Sequence, residues 1–182
     1  MPTHSGRVEI ELDLSTISVA DLEGEGSPPP GKYHARIEDC QRISDQTSYL
    51  KVRFALLAGT DPNGVGAVFS DRFYLSDKAK KRLAILAHRL KLIGGDDFGG
   101  RATIDWSQAT GKQLIVQVVE EEYEAKNGGK AKRAKLAFAG FWSLDDERVK
   151  DVPRDQTAAR QVSALARNGS KPPHPKDDWE EI

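Results

Sequence analysis

Cys40 is the only cysteine among 182 residues. Its isolation excludes an intrachain disulfide framework and any cysteine-based zinc cage. Long apolar runs are missing too, and none approaches the roughly 18 residues of a membrane-spanning helix. The segment Met1–Arg7 has no apolar stretch of the secretory kind, so the chain is expected to be cytoplasmic, with no membrane partner. Apolar residues make up 38% and aromatics 7%, against 30% charged, so part of the chain is expected to lie outside a packed core. What remains is long enough for one domain of ordinary size.

Catalytic patterns are equally scarce. His4, His34, His88 and His174 are far apart, and no two share a helix face at metal-ligand spacing. No serine sits in a nucleophile elbow, and no GxxxxGK[ST] phosphate loop occurs. Gly94-Gly95 and Gly99-Gly100 lack the strand–turn–helix setting of a phosphate cradle. Cys40 has no activating neighbour in sequence. One acidic constellation bears on metal-dependent nuclease chemistry: Asp96-Asp97, Asp105 and Glu120-Glu121-Glu122, with Glu124-Ala125-Lys126 resembling half of an Asp…Glu-x-Lys set. It lies beside a turn, where carboxylates are solvated. A nuclease is therefore the weaker alternative, and no catalytic residue, metal or cofactor is expected.

The formal net charge of −1 hides an asymmetry. Residues 1–30 carry a net −5, residues 31–142 a net +6 and residues 143–182 a net −2. A basic middle between acidic ends fits an anion-binding core.

Hydrophobic periodicity places the elements. Val8–Leu14 alternates apolar and acidic as a half-buried or edge strand, and Gly24–Gly31 with its three prolines breaks the chain. Tyr33, Ala35 and Ile37 share one face of the next strand, with His34 and Arg36 opposite. Leu50, Val52, Phe54 and Leu56 point inward from the strand after it. A third strand, Val68–Leu75, buries Phe69, Phe73 and Leu75. Ser76 then caps a helix to about Leu92 with Ala79, Leu83, Leu86 and Leu90 as its apolar stripe, ended by Gly94-Gly95. Leu114–Val119 and Ala134–Trp142 form a hairpin around Asn127-Gly128-Gly129, with Leu136 and Phe138 on one face. Residues 155–167 fit a short helix.

Three strands, a helix and two strands form the layout of a mainly β, five-stranded OB-fold barrel, with one α-helix between strands 3 and 4. Closure would also remove two exposed sheet edges. An open α+β sheet is the alternative. The domains are then 1–29, an acidic strand and Pro/Gly linker; 30–142, the core; and 143–182, a flexible tail. Residues 8–14 would either complete the barrel or pair across a homodimer.

A single-strand binder needs cations for phosphates and aromatic faces for unstacked bases. The outward face of strands 2 and 3 offers Tyr49, Lys51, Arg53, Arg72 and Tyr74. The second hairpin adds Tyr123, Lys126, Lys130, Lys132, Arg133 and Lys135. Both regions are where OB-folds hold oligonucleotides. At the end of the chain, Asp177, Asp178, Trp179, Glu180, Glu181 and Ile182 follow a Pro-rich linker. Acids with apolar anchors suit a basic-rimmed apolar pocket on a partner protein.

The landmarks Pro30-Gly31-Lys32-Tyr33-x-Ala35-x-Ile37, Leu50-x-Val52-x-Phe54, Asp71-Arg72-Phe73-x-Leu75, Leu83 with Leu86, and Gly111-Lys112 before Val116-x-Val118 resemble a phage family. That family, long labelled only as a domain of unknown function, is encoded among recombination and replication genes and is considered single-stranded-DNA-binding-like. The tail separately resembles those of single-stranded-DNA-binding proteins, which recruit other replication proteins. It ends in Glu181-Ile182 where bacterial tails end in Pro-Phe, which implies a phage-encoded partner. The resemblance implies sequence-tolerant binding of single-stranded DNA in the host cytoplasm, with replication or recombination proteins recruited through the tail. An interaction adaptor with little DNA binding is the other class of function.

Overall fold

Two long alternating segments, β1 (Gly31–Ser44) and β2 (Ser48–Gly59), form the centre of a computed structural model that describes residues 27–161. They pair antiparallel, and β3 (Val68–Tyr74) continues the sheet beyond β2. On the other side of β1 lies β4 (Gln113–Glu124), followed by β5 (Lys130–Trp142). The five-stranded sheet thus runs β3-β2-β1-β4-β5, antiparallel throughout. A helix, α1 (Lys80–Arg89), connects β3 to β4.

Period-two patterning sets the inner face. Tyr33, Ala35 and Ile37 of β1 join Val52, Phe54 and Leu56 of β2 in one buried cluster with Phe69, Val116, Leu136 and Leu86. Tyr33 is closed in by glycine: a Cβ on Gly59 would sit 2.1 Å from its ring, and one on Gly64 would sit 2.4 Å from its hydroxyl. That hydroxyl donates to the Pro29 carbonyl at 2.8 Å, which anchors the chain entering β1.

The sheet curls until its two edge strands meet across the core. Phe73 of β3 and Phe141 of β5 lie 5.7 Å apart between ring centroids. The expected closed barrel nevertheless does not form, because β3 and β5 share no backbone ladder. Side chains hold the positions that a ladder would need. The Asp71 carboxylate accepts the Leu136 N–H at 2.9 Å, and Arg82 Nη2 of α1 donates to the Leu136 carbonyl at 3.0 Å. Arg82 also reaches Asp71 Oδ2 at 2.7 Å and the Arg72 carbonyl at 3.1 Å, with its guanidinium 4.2 Å over the Phe73 ring. Two residues earlier on β5, the Ala134 N–H donates to Ser27 Oγ at 3.2 Å.

Several local expectations change. Regular helix begins at Lys80, not Ser76, whose carbonyl accepts from the N–H groups of Ala79 and Lys80 in a preceding turn. It ends before the glycine pair. Lys91 takes φ +57, and bonds from Lys91 N to the His88 carbonyl and from Leu92 N to the Ala87 carbonyl close a Schellman motif. Leu75 lies past the end of β3 and is exposed. Phe138 is 54% exposed rather than inward. Val116 pairs with Phe141 and Val118 with Leu136, so residues 137–140 bulge out opposite Gln117 alone.

The chain after Trp142 packs back onto the sheet. Val149 and Val152 cover Ile115 on its outer face, with Trp142 and Leu144 beside them. His34, opposite Tyr33 in the alternation, is fully buried under this segment. Its Nδ1 accepts the Asp155 N–H at 3.0 Å, and its Nε2 meets Gln113 Oε1 at 2.8 Å. Gln113 Nε2 in turn donates to the Ala158 carbonyl at 3.0 Å. Residues 156–161 are helical, and the Asp155 carboxylate caps them through the N–H groups of Thr157 and Ala158. The expected strand at 8–14, residues 162–167 of the short helix and the acidic tip 177–182 lie outside the described residues.

Candidate nucleic-acid interface

The register of β2 against β3 decides which outward side chains become neighbours. Tyr49 lies opposite Tyr74, Lys51 opposite Arg72, and Arg53 opposite Ser70. All six positions share the face away from Leu50, Val52 and Phe54, whose side chains are buried. Tyr49 and Tyr74 have ring centroids 5.8 Å apart at an interplanar angle of 59°. The Arg72 guanidinium lies 5.1 Å from the Tyr49 ring. Tyr74 is 41% exposed, so its ring is open to a ligand. Five residues singled out in the sequence thus form one patch: two aromatic faces beside three cations, spaced about 7 Å apart along each strand. Such a patch can stack unpaired bases while cations meet the phosphates between them.

The second region is an arm built by β4 and β5. Glu124 pairs with Lys130, Glu122 with Lys132, and Glu121 with Arg133, so an acidic run faces a basic one. Gly128 at φ 78 turns the arm, and Asn127 Oδ1 accepts from the Gly129 N–H. Lys132 binds Glu120 at 2.8 Å. Arg133 donates from Nε and Nη2 to Glu121 Oε2 at 2.9 and 2.7 Å, and Lys135 binds the other oxygen of the same carboxylate. These hydrogen bonds hold the Glu121 carboxyl below its usual range, that of Lys135 first and that of Arg133 second. The arm's charge is therefore largely neutralised within it. Lys126 and Lys130, exposed at the turn, form no ion pair among the described residues. Tyr123 is 42% exposed, with the Arg133 guanidinium 5.3 Å from its ring.

The two regions adjoin across the open edge. The bonds of Arg133 to Glu121 raise its pKa, with smaller contributions from Asp71 and Tyr74 of β3. Asp71, next to a patch cation in sequence, instead serves the clasp to Arg82 and Leu136.

Other candidates resolve differently. The Cys40 thiol is pushed up to about 11 by burial and by the neighbouring Asp39, which disfavours the nucleophilic thiolate. His88 is exposed and meets Phe98 edge-on at 5.5 Å. Among the described residues, no three metal-ligating side chains converge, and no helix is long and apolar enough to cross a membrane. Sequence reasoning missed Arg82, which sits in a lysine-rich stretch that reads as a solvated helix face. It also missed Phe138, whose exposure follows from the bulge. No protein-family model matches the chain, and a search of curated proteins finds no significant relative.

Proposed function

We propose that this chain is a non-enzymatic, sequence-tolerant single-stranded-DNA-binding protein that serves phage replication or recombination. The observation that carries the reading is the β2–β3 patch, where the Tyr49–Tyr74 pair lies among Lys51, Arg53 and Arg72. Bases stack on the two tyrosines, and phosphates follow the cations. Tyr123, Lys126 and Lys130 extend the path onto the β4–β5 arm. The curl that brings Phe73 to Phe141 supports an OB-type barrel left open between β3 and β5. Residues 177–182 recruit a replication or recombination partner.

The test is fluorescence anisotropy with a labelled oligonucleotide of about 30 nucleotides, long enough for one or more OB-fold sites of roughly 4–16 nucleotides. Salt-sensitive binding to the single strand with little to duplex is expected. Tyr49→Ala and Tyr74→Ala should each weaken it by about 1–3 kcal/mol, the contribution of one stacked base. No binding at low salt would leave the adaptor reading.

A further inference from the structure

At the C-terminal end of α1, cations from three parts of the chain face one cleft of about 430 Å³. Arg89 and Lys91 come from the helix end, Lys112 from the turn before β4, and Arg154 from the segment that packs back over the sheet. The one carboxylate in its wall is Asp145. Asp146, next in sequence, is bound by Arg148 at 2.6 Å and also lies within reach of the Arg89 charge. None of the four cations forms an ion pair among the described residues. Neither β2 nor β3 contributes to the cleft, so it is separate from the tyrosine patch.

Two features carry a cost that the fold itself does not offset. Arg89 Nε is buried with no hydrogen-bond partner among the described residues, and a guanidinium donor closed off from water needs an acceptor. Lys91 holds φ +57 at the position of the Schellman motif where glycine is the ordinary residue. Strain of that kind at a cleft-lining cation favours function over stability. Arg154 is already fixed, since it donates to the carbonyls of Val152, Leu144 and Val149 and so presents a charge balanced only by peptide dipoles. Cations at a helix C-terminus do complement its dipole. That accounts for Arg89 and Lys91, and the carbonyl bonds account for Arg154, but neither accounts for Lys112 or the missing glycine.

We propose that this cleft binds a phosphate monoester, gripped by Arg89, Lys91 and Lys112 over a floor set by Arg154. Guanidinium geometry matches phosphate oxygens. Four cations against Asp145 and the already paired Asp146 still leave an excess of positive charge, which suits the roughly −1.5 to −2 charge of a monoester better than the single charge of a phosphodiester. The volume lies within the range of small-molecule sites. The ligand is either a free nucleotide or the 5′-phosphate at the end of a DNA strand.

The test titrates the full chain with inorganic phosphate, AMP and adenosine, by calorimetry and by thermal shift. Phosphate and AMP should bind and adenosine should not. A 5′-phosphorylated oligonucleotide that binds about tenfold tighter than its 5′-hydroxyl form identifies the strand end as the source; equal affinities identify the free nucleotide. Lys91→Gly should raise the melting temperature without ligand, because it relieves the strain, yet weaken AMP binding about tenfold through loss of a charged contact. Arg89→Met should weaken AMP similarly, with its melt reporting folding. Tyr74→Ala should leave AMP affinity unchanged, so this proposal and the strand-binding reading fail separately. Absence of phosphate and AMP binding would overturn the proposal. So would binding that Arg89→Met and Lys91→Gly leave intact, or AMP binding lost with Tyr74.

Discussion

Replacing Arg82 with methionine keeps the stem packed on the core and removes only the guanidinium. The loss comprises hydrogen bonds to Asp71 at 2.7 Å, the Leu136 carbonyl at 3.0 Å and the Arg72 carbonyl at 3.1 Å, together with the contact 4.2 Å over Phe73. Asp71 is left with a charge and only two backbone donors, the Leu136 N–H on Oδ2 at 2.9 Å and the Arg72 N–H on Oδ1 at 2.8 Å. Breaking a buried ion pair from one side costs about 3–5 kcal/mol. The two side chains are 13% and 14% exposed, so water reaches them slightly and the lower end, about 3 kcal/mol, applies. With a urea m-value of about 1.5 kcal/mol/M, the midpoint should fall by about 2 M at unchanged m. Asp71→Asn keeps an acceptor for Leu136 and should cost about half as much. Because both residues belong to one network, Arg82→Met with Asp71→Leu should cost about 2 kcal/mol less than the two single changes added. An Arg82→Met loss under about 1 kcal/mol, or strict additivity in the cycle, would refute the idea that the clasp stands in for a β3–β5 ladder.

Burial holds the His34 pKa below its ordinary 6.5, since Nδ1 must stay unprotonated to accept from Asp155. The unfolded chain takes up this proton first, so stability should fall as pH drops below about 6.5, by up to about 1.4 kcal/mol per unit, until His34 itself titrates. Urea midpoints at pH 7.5 and 5.5 should converge in His34→Asn; an equal drop in both proteins would clear His34 of the effect. Gly59→Ala should cost about 3 kcal/mol by driving a Cβ into the Tyr33 ring, and a variant within about 0.5 kcal/mol of the parent by urea unfolding would mean that the ring yields. Glu121→Gln releases Arg133 and Lys135. It should strengthen single-strand binding and steepen the slope of log K against log salt by up to about 1.4, counting about 0.7 for each phosphate contact. An unaltered slope would keep the arm off the strand.

Alternation made the inner faces of β2 and β3 legible, and with them the outward set of Tyr49, Lys51, Arg53, Arg72 and Tyr74. Period two needs no knowledge of the partner strand. What stayed hidden depends on contacts across long sequence separations. His34 reads as an outward residue and is one, but a segment without periodicity, more than a hundred residues later, covers it. The basic residues of β5 read as free charge until the register sets them against Glu120 and Glu121 of β4. Phe138 alternates correctly with Leu136, and only the four-residue bulge turns it outward. Element order implies closure, yet a carboxylate and a guanidinium occupy the backbone groups that closure would use.

On the proposed strand binding, the side chains lying along β5 also bear on how copies would neighbour one another along a polynucleotide. A free strand edge invites the same edge of a neighbouring molecule, and dense loading would favour such sheet-to-sheet fusion. On β5 the alternate donors Ala134 N–H and Leu136 N–H are already taken, by Ser27 Oγ and the Asp71 carboxylate. A buried charge facing the edge would have to be stripped away before a second copy could dock there. The β5 edge is therefore poorly suited to fuse one copy's sheet to the next.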